Sequence, residues 1–146
     1  MNDQTHGTGI AMDAAGLQAF LLRDFSEVAS DFHVEAVTPD GITLRLQVGA
    51  QHLRPGGTVS GPAMFGLADV AMYLAILSRI GPVALSVTTS CAIDFMRKPA
   101  SGADLLAEAR ILKLGRALAV GDVLIRSEGM AAPVAHANLT YSIPKS

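Results

Sequence analysis

The sequence predicts an α+β domain in which one curved antiparallel sheet of about six strands wraps a single long helix. Three observations carry this. Residues 60–80, SGPAMFGLADVAMYLAILSRI, are apolar on nearly every helical face, with Asp69 as the one carboxylate, so such a helix must be covered nearly all round. Four segments after it are strand-like, and the last three are joined by short turns, the pattern of an antiparallel meander. Two further strand candidates precede the helix. At 146 residues the chain suits one domain with a proper core.

The elements follow in order. Residues 1–12 are polar and are expected to be a mobile lead-in to a single domain over 13–146. AAGLQAFLLRDFSEV (14–28) sets Leu17, Phe20, Leu21, Asp24 and Val28 at helical spacing, an amphipathic first helix. FHVEAV (32–37) and GITLRLQV (41–48) read as strands, the second alternating Ile42, Leu44, Leu46 and Val48 with polar residues; TPDG (38–41) is the turn between them. A Gly/Pro-rich loop over 49–60 leads to the helix, where Ser60 or Gly61 caps and Pro62 suits the first turn. VALSVTTSCAIDFM (83–96) is rich in β-branched residues, and KPASG (98–102) breaks it. ADLLAEARILKLG (103–115) has the propensity of a helix, but its strand neighbours and hairpin-short connections make it a strand. LAVGDVLIRSE (118–128) and VAHANLTYSI (134–143) complete the sheet.

Composition removes several function classes. A net charge of −2 offers no basic face for nucleic acid, and the absence of Trp argues against base-stacking platforms. With 50% hydrophobic and only 16% charged residues, some apolar surface is expected to be buried between subunits of a homo-oligomer. Cys91 is the only cysteine, which excludes an intramolecular disulfide and a cysteine-based zinc site. His6, His33, His52 and His136 lack metal-ligand spacing, and His52 is expected to be exposed beside the loop. The N-terminal residues lack a secretory pattern, so the expected location is cytoplasmic. The unbroken apolar part of the long helix is shorter than the ~20 residues of a span and contains Asp69, so no membrane partner is expected.

Three features carry chemistry. An ionised acid in an apolar helix is costly unless it is paired or working, which singles out Asp69 as a general base or nucleophile. Unpaired N–H groups at the helix start, Gly61 first among them, favour a developing oxyanion. Arg97 and Lys98, followed by Pro99, end a strand in a basic turn suited to phosphates. Ser60 is not within G-x-S-x-G, so a serine hydrolase is a poor fit.

PGGTVSGPAMFGLADVAM followed by IDFMRKPASGADLLAEARILKLGRALAVGDVLI resembles the acyl-CoA thioesterases of the hotdog superfamily, phenylacetic-acid-pathway type. That family shows a G-T-x-H-G-G turn, a helix with a central Asp, and a strand ending F-L-R-K-P or Y-L-R-P-A. The resemblance runs from about His52 to the C-terminus. Ser60 stands where the family has His, Pro62 replaces its second Gly, and Arg54 lies where relatives carry Asn or Gln.

The resemblance implies the hotdog fold, hydrolysis of an acyl-CoA thioester, and sites built at a dimer interface. It implies catalytic roles for Asp69, the Gly61 N–H and a hydroxyl from Thr88 (less readily Thr89 or Ser90), with Ser60 at the turn. Coenzyme A phosphates are expected on Arg97 and Lys98, joined by Arg116, with Arg54 orienting substrate. Phe65, with Met64, Met72 and Tyr73, lines core or acyl pocket. No metal or redox cofactor is implied, coenzyme A being part of the substrate. From Gly61 to Asp69 is eight residues, about 12 Å along a helix, so one thioester cannot touch both within a single chain. The site is therefore expected to need two antiparallel helices in a homodimer or homotetramer. The rival reading is a non-catalytic acyl-CoA-binding protein of the same fold.

Overall fold

Ser60 starts the central helix: its side chain accepts a hydrogen bond from the Ala63 N–H at 3.2 Å, and Pro62 sits in the first turn, where an N–H has no intrahelical partner. The computed structural model, which describes residues 9–83 and 86–144, runs this helix over Gly61–Ile80 (α2) after a first helix over Ala14–Asp24 (α1). The strands are Phe32–Thr38 (β1), Gly41–Leu46 (β2), Val87–Phe95 (β3), Leu105–Leu114 (β4), Leu118–Ser127 (β5) and Pro133–Ser142 (β6). They form one six-stranded sheet in the order β1-β2-β4-β5-β6-β3, every neighbouring pair antiparallel. This is the hotdog fold, and residues 105–114 are strand as their neighbours implied.

The sheet curls round α2, which packs on β2, β3, β4, β5 and β6. Every residue from Ala71 to Ser78 is buried. The helix is long and apolar enough to cross a membrane, yet most of it is buried inside this domain. Gly81 ends it with φ 92° and an N–H to the Leu77 carbonyl at 2.8 Å, a conformation that favours glycine.

Close approach of α2 to the sheet depends on Gly121. A Cβ there would collide with the Arg110 carbonyl oxygen and the thioether end of Met72. Gly121→Ala should therefore destabilise the domain by about 2–3 kcal/mol, a fall of roughly 5–10 °C in melting temperature for a chain of this size. A melting temperature within a degree of the parent would contradict that packing account.

Three expectations need correction. The first helix ends at Asp24 rather than 28: the Phe25 N–H closes the last turn on Leu21, and residues 29–31 form a 3₁₀ turn. Tertiary packing overrides the periodicity here, because Phe25 turns to meet the Tyr73 ring edge-on with centroids 5.6 Å apart. β2 stops at Leu46 rather than 48, where Val48 instead donates its N–H to the Asp104 carboxylate at 3.0 Å. β3 begins at Val87 rather than 83, since Val83 and Ser86 belong to the turn that reverses the chain after α2; residues 84 and 85 lie outside the described residues. Of the expected lead-in, residues 1–8 lie outside the described residues, and residues 9–12 lie against the end of α2. Ala11 and Met12 donate to the Ser78 carbonyl at 2.6 and 3.1 Å, and Arg79 Nε donates to the Gly9 carbonyl at 2.5 Å.

The two edges of the sheet are β1 and β3. Along β3, Val87, Thr89, Ser90, Ala92, Asp94 and Phe95 are exposed. No Pro or Lys blunts this edge, although a long open strand is an invitation to pair with another chain.

Candidate active site

β6 and β3 pair with Thr88 opposite Tyr141, and this register gathers the groups around Asp69. The extra residue of a β-bulge falls at Thr89, beside Thr88; bulges re-aim neighbouring side chains. Thr88 Oγ1 donates to Asp69 Oδ1 at 2.6 Å. Tyr141 OH donates to the same oxygen at 2.6 Å and also reaches the Asp69 backbone carbonyl at 3.0 Å. Both donors therefore converge on Oδ1, while Oδ2 has no hydrogen-bond partner among the described residues. Burial, and the carboxylate beside it, push the Tyr141 phenol well above the ordinary tyrosine range, so it remains a donor throughout neutral and moderately alkaline pH.

Asp69 borders a cavity of about 400 Å³ whose apolar walls come from α1 and the segment after it (Leu21, Phe25, Val28), α2 (Val70, Tyr73) and β3 (Val87). A partly buried carboxylate, gripped on one oxygen and facing an apolar cavity, is arranged to accept a proton or attack a carbonyl.

A second group of candidate residues lies at the other end of β3. A Cβ on Gly61 would sit 3.4 Å from the Phe95 ring, so the start of α2 abuts the end of β3. At this helix start the Ala63 N–H is used by Ser60 Oγ and the Met64 N–H by the Ser60 carbonyl at 3.1 Å. Pro62 has no N–H. The Gly61 N–H is thus the one helix-start amide with no partner among the described residues, and it points from the positive end of the helix dipole.

A pocket of about 410 Å³ adjoins Gly61, lined among others by Arg54, Phe95, Met96, Arg97 and Lys98 and by no carboxylate. Arg97 is anchored by Nε to the Pro133 carbonyl at 2.8 Å, leaving its terminal nitrogens for another acceptor. Arg54 is held by a tight loop whose tip, Gly56 and Gly57, has φ of 104° and 87°, closed by the Arg54 N–H to the Thr58 carbonyl at 2.9 Å.

The structure therefore brings Asp69 together with Thr88, and Gly61 together with Arg54, Arg97 and Lys98, in two separate places. Arg116 joins neither group within the chain. Its hairpin lies at the end of the sheet marked by Val87, Ser142 and Leu118, whereas Arg97 follows the opposite end, marked by Phe95, Ala135 and Ile125. Sequence proximity of the two turns did not carry over, because β3 pairs with the last strand rather than with β4. Phe65 is exposed and lines neither cavity, and Met72 is core against the sheet. Met64 lines the basic pocket and Tyr73 the apolar one. Ser60 is the helix cap. His52 is buried rather than exposed: its Nδ1 accepts from the Gly49 N–H at 2.8 Å and its Nε2 lies 3.3 Å from Asp31.

Tyr141 is the residue that sequence reasoning missed. At 3% exposure it looks like any core aromatic of an alternating strand. The signal available was that a buried tyrosine hydroxyl needs a partner, but naming Asp69 required the β3–β6 register. Tyr141→Phe keeps the ring on Tyr73 and removes the donor. It should lower kcat about tenfold with little change in KM, and shift the melting temperature by only a few degrees. An unchanged kcat would show that Thr88 alone holds the carboxylate.

A six-stranded antiparallel sheet curled around one long helix is the architecture of the hotdog-fold thioester hydrolases. The family model for the thioesterase superfamily matches residues 56–134, and the chain belongs to that superfamily. It is similar to a provisionally assigned thioesterase from a Silicibacter species, at 56% identity over 92% of this chain and 94% of that one, with a TM-score of 0.87. The phenylacetic acid degradation protein PaaI from Thermus thermophilus, in mutant form, is 30% identical over 83% of this chain and 100% of that one, at TM-score 0.70. A provisionally assigned thioesterase of Streptococcus pneumoniae, determined with coenzyme A, shares the fold at 20% identity and TM-score 0.73, covering 86% of this chain and 98% of that one. Among curated proteins, none matches.

Proposed function

We propose that this enzyme hydrolyses acyl-CoA thioesters at a site shared by two protomers. The observation that carries the reading is the arrangement at Asp69: one carboxylate oxygen saturated by the Thr88 and Tyr141 hydroxyls, the other without a partner among the described residues, beside an apolar cavity.

The complementary half-site is supplied by symmetry. Antiparallel pairing of the open β3 edges about a two-fold axis near Cys91 and Ala92 sets Thr88 of one chain opposite Phe95 of the other. Asp69 then faces the Gly61 amide of the second protomer, which spans the ~12 Å that separates the two along one helix. The thioester oxygen is held by that Gly61 N–H. Coenzyme A phosphates lie against Arg97 and Lys98 with Arg54 beside them, and the acyl group enters the cavity lined by Phe25, Val70 and Tyr73. Asp69 either draws a proton from water or attacks the carbonyl, and Thr88 and Tyr141 keep its free oxygen aimed. Arg116 can approach the phosphates only from a second protomer.

Free thiol release from a panel of acyl-CoA esters tests the activity. Saturable release is expected from at least one ester. Tight binding of the esters without release would instead establish a carrier of acyl-CoA.

A further inference from the structure

Residues 49–60 carry Arg54 and deliver the chain to Gly61, and with Gly49, Gly56 and Gly57 among them this loop has little stiffness of its own. Only His52 and Val59 of the loop are buried, at 8% and 3% exposure. Both ring nitrogens of His52 have protein partners: Nδ1 accepts from the Gly49 N–H at 2.8 Å, and Nε2 lies 3.3 Å from Asp31 Oδ2. An accepting Nδ1 places the ring proton on Nε2, where it donates to the carboxylate. Asp31 is itself fixed, because its carbonyl accepts from the Gln47 N–H at 2.8 Å at the end of β2.

The other arm of the loop closes on the same residue. The His52 carbonyl accepts from the Ser60 N–H at 2.8 Å, and beside it Leu53 and Val59 form an antiparallel bridge. The Ser60 carbonyl accepts from the Met64 N–H at 3.1 Å, and that carbonyl belongs to the same planar peptide unit as the Gly61 N–H. The helix thus sets where the amide points, and the His52–Ser60 bond sets where the loop delivers it. His52 lines neither the apolar cavity nor the basic pocket, so any effect it has on the reaction passes through the loop.

We infer that His52 is a positioning residue for the hydrolysis, its ring locking the base of the 49–60 loop so that the Gly61 amide stands where the oxyanion develops. This rests on the reading above that Gly61 is the oxyanion donor. Such a donor works only at a defined place, and a misplacement of about 1 Å costs up to about 10²-fold in rate.

The test is kcat and KM for thiol release, measured with the panel ester that the wild-type protein turns over fastest. His52→Ala should lower kcat by about tenfold or more with KM within about threefold, because Arg97 and Lys98 follow β3 and do not depend on this loop. His52→Gln should recover most of that loss. Gly49 is the N-cap of the 3₁₀ turn Ala50–His52, and a glutamine at this place can accept from the N-cap N–H while its amide nitrogen donates to Asp31. Asp31→Ala leaves the ring in place but unanchored; it should lower kcat in the same direction, and it carries the test if the His52→Ala chain does not fold. A double variant separates positioning from general damage. In a Gly61→Pro chain the amide is already gone, so adding His52→Ala should lower kcat by no more than about threefold further, whereas independent losses would multiply. A His52→Ala loss confined to KM, a glutamine variant as slow as alanine, or multiplying losses in the double variant overturns the inference while leaving the hydrolase reading intact. Gly61→Pro at the parent's rate removes the amide's role and this inference with it. Wild-type protein that releases thiol from no ester of the panel overturns the hydrolase reading as well.

Discussion

Asp69→Asn should reduce kcat by about 10³-fold, some 4 kcal/mol of barrier, with KM little changed and the fold intact. Asparagine has the shape of the carboxylate, and its amide oxygen can still accept from Thr88 and Tyr141, which reach Oδ1 at 2.6 Å each. What it lacks is the ability of the second oxygen to take a proton or to displace the thiolate and form an acyl anhydride. The melting temperature should therefore hold or rise slightly, since a partly buried charge has been removed. A well-folded variant within tenfold of the parent in kcat would exclude Asp69 from the chemistry.

Gly61→Pro should cost about 10²–10³-fold in kcat through loss of one backbone donor. Because residue 61 also precedes Pro62, which disfavours helical geometry there, the variant's fold is checked by circular dichroism and melting temperature. Gly61 is the first residue of α2, where proline is favoured, and Ser60 before it has φ −75° and ψ 157°, the extended conformation that proline requires of its predecessor. In a variant that keeps the parent's helix content, the substitution deletes the one helix-start amide without a partner among the described residues.

Combining the two variants tests the shared site directly. In a mixed dimer of Asp69→Asn and Gly61→Pro chains, one of the two sites receives both defects and the other receives neither. Random pairing on co-expression makes half the dimers mixed, so about a quarter of the wild-type rate should return. If each site instead belonged to one chain, every site would carry a defect and no recovery would occur. Absence of recovery in a sample shown to contain mixed dimers would end the two-protomer reading.

Much of the fold was legible in local pattern. The segment around Asp69 announced a helix apolar on nearly every face, with Ser60, Gly61 and Pro62 marking its start, and short turns between strand-like segments announced β4, β5 and β6. These signals are local: capping, φ preference and burial periodicity act within a few residues of their cause. Asp69 itself stood out because a lone acid among apolar residues is conspicuous on hydration grounds alone, and Gly61 because of its place at a helix start. The resemblance to known thioesterases directed attention to Thr88 before any contact with Asp69 was visible.

Other assignments depended on which strands lie side by side. β3 pairs with β6, the last strand, rather than with β4, which follows it. That non-local choice sets Tyr141 opposite Thr88, makes β3 an open edge, and sends Arg116 to the far end of the sheet from Arg97. By itself, then, the chain determined its elements, its capped central helix and its two reactive candidates, because local backbone preferences and the hydration cost of one acid suffice for those. Tertiary structure alone decided how the Asp69 carboxylate is gripped and which cations share a pocket, because both follow from contacts between residues distant in sequence.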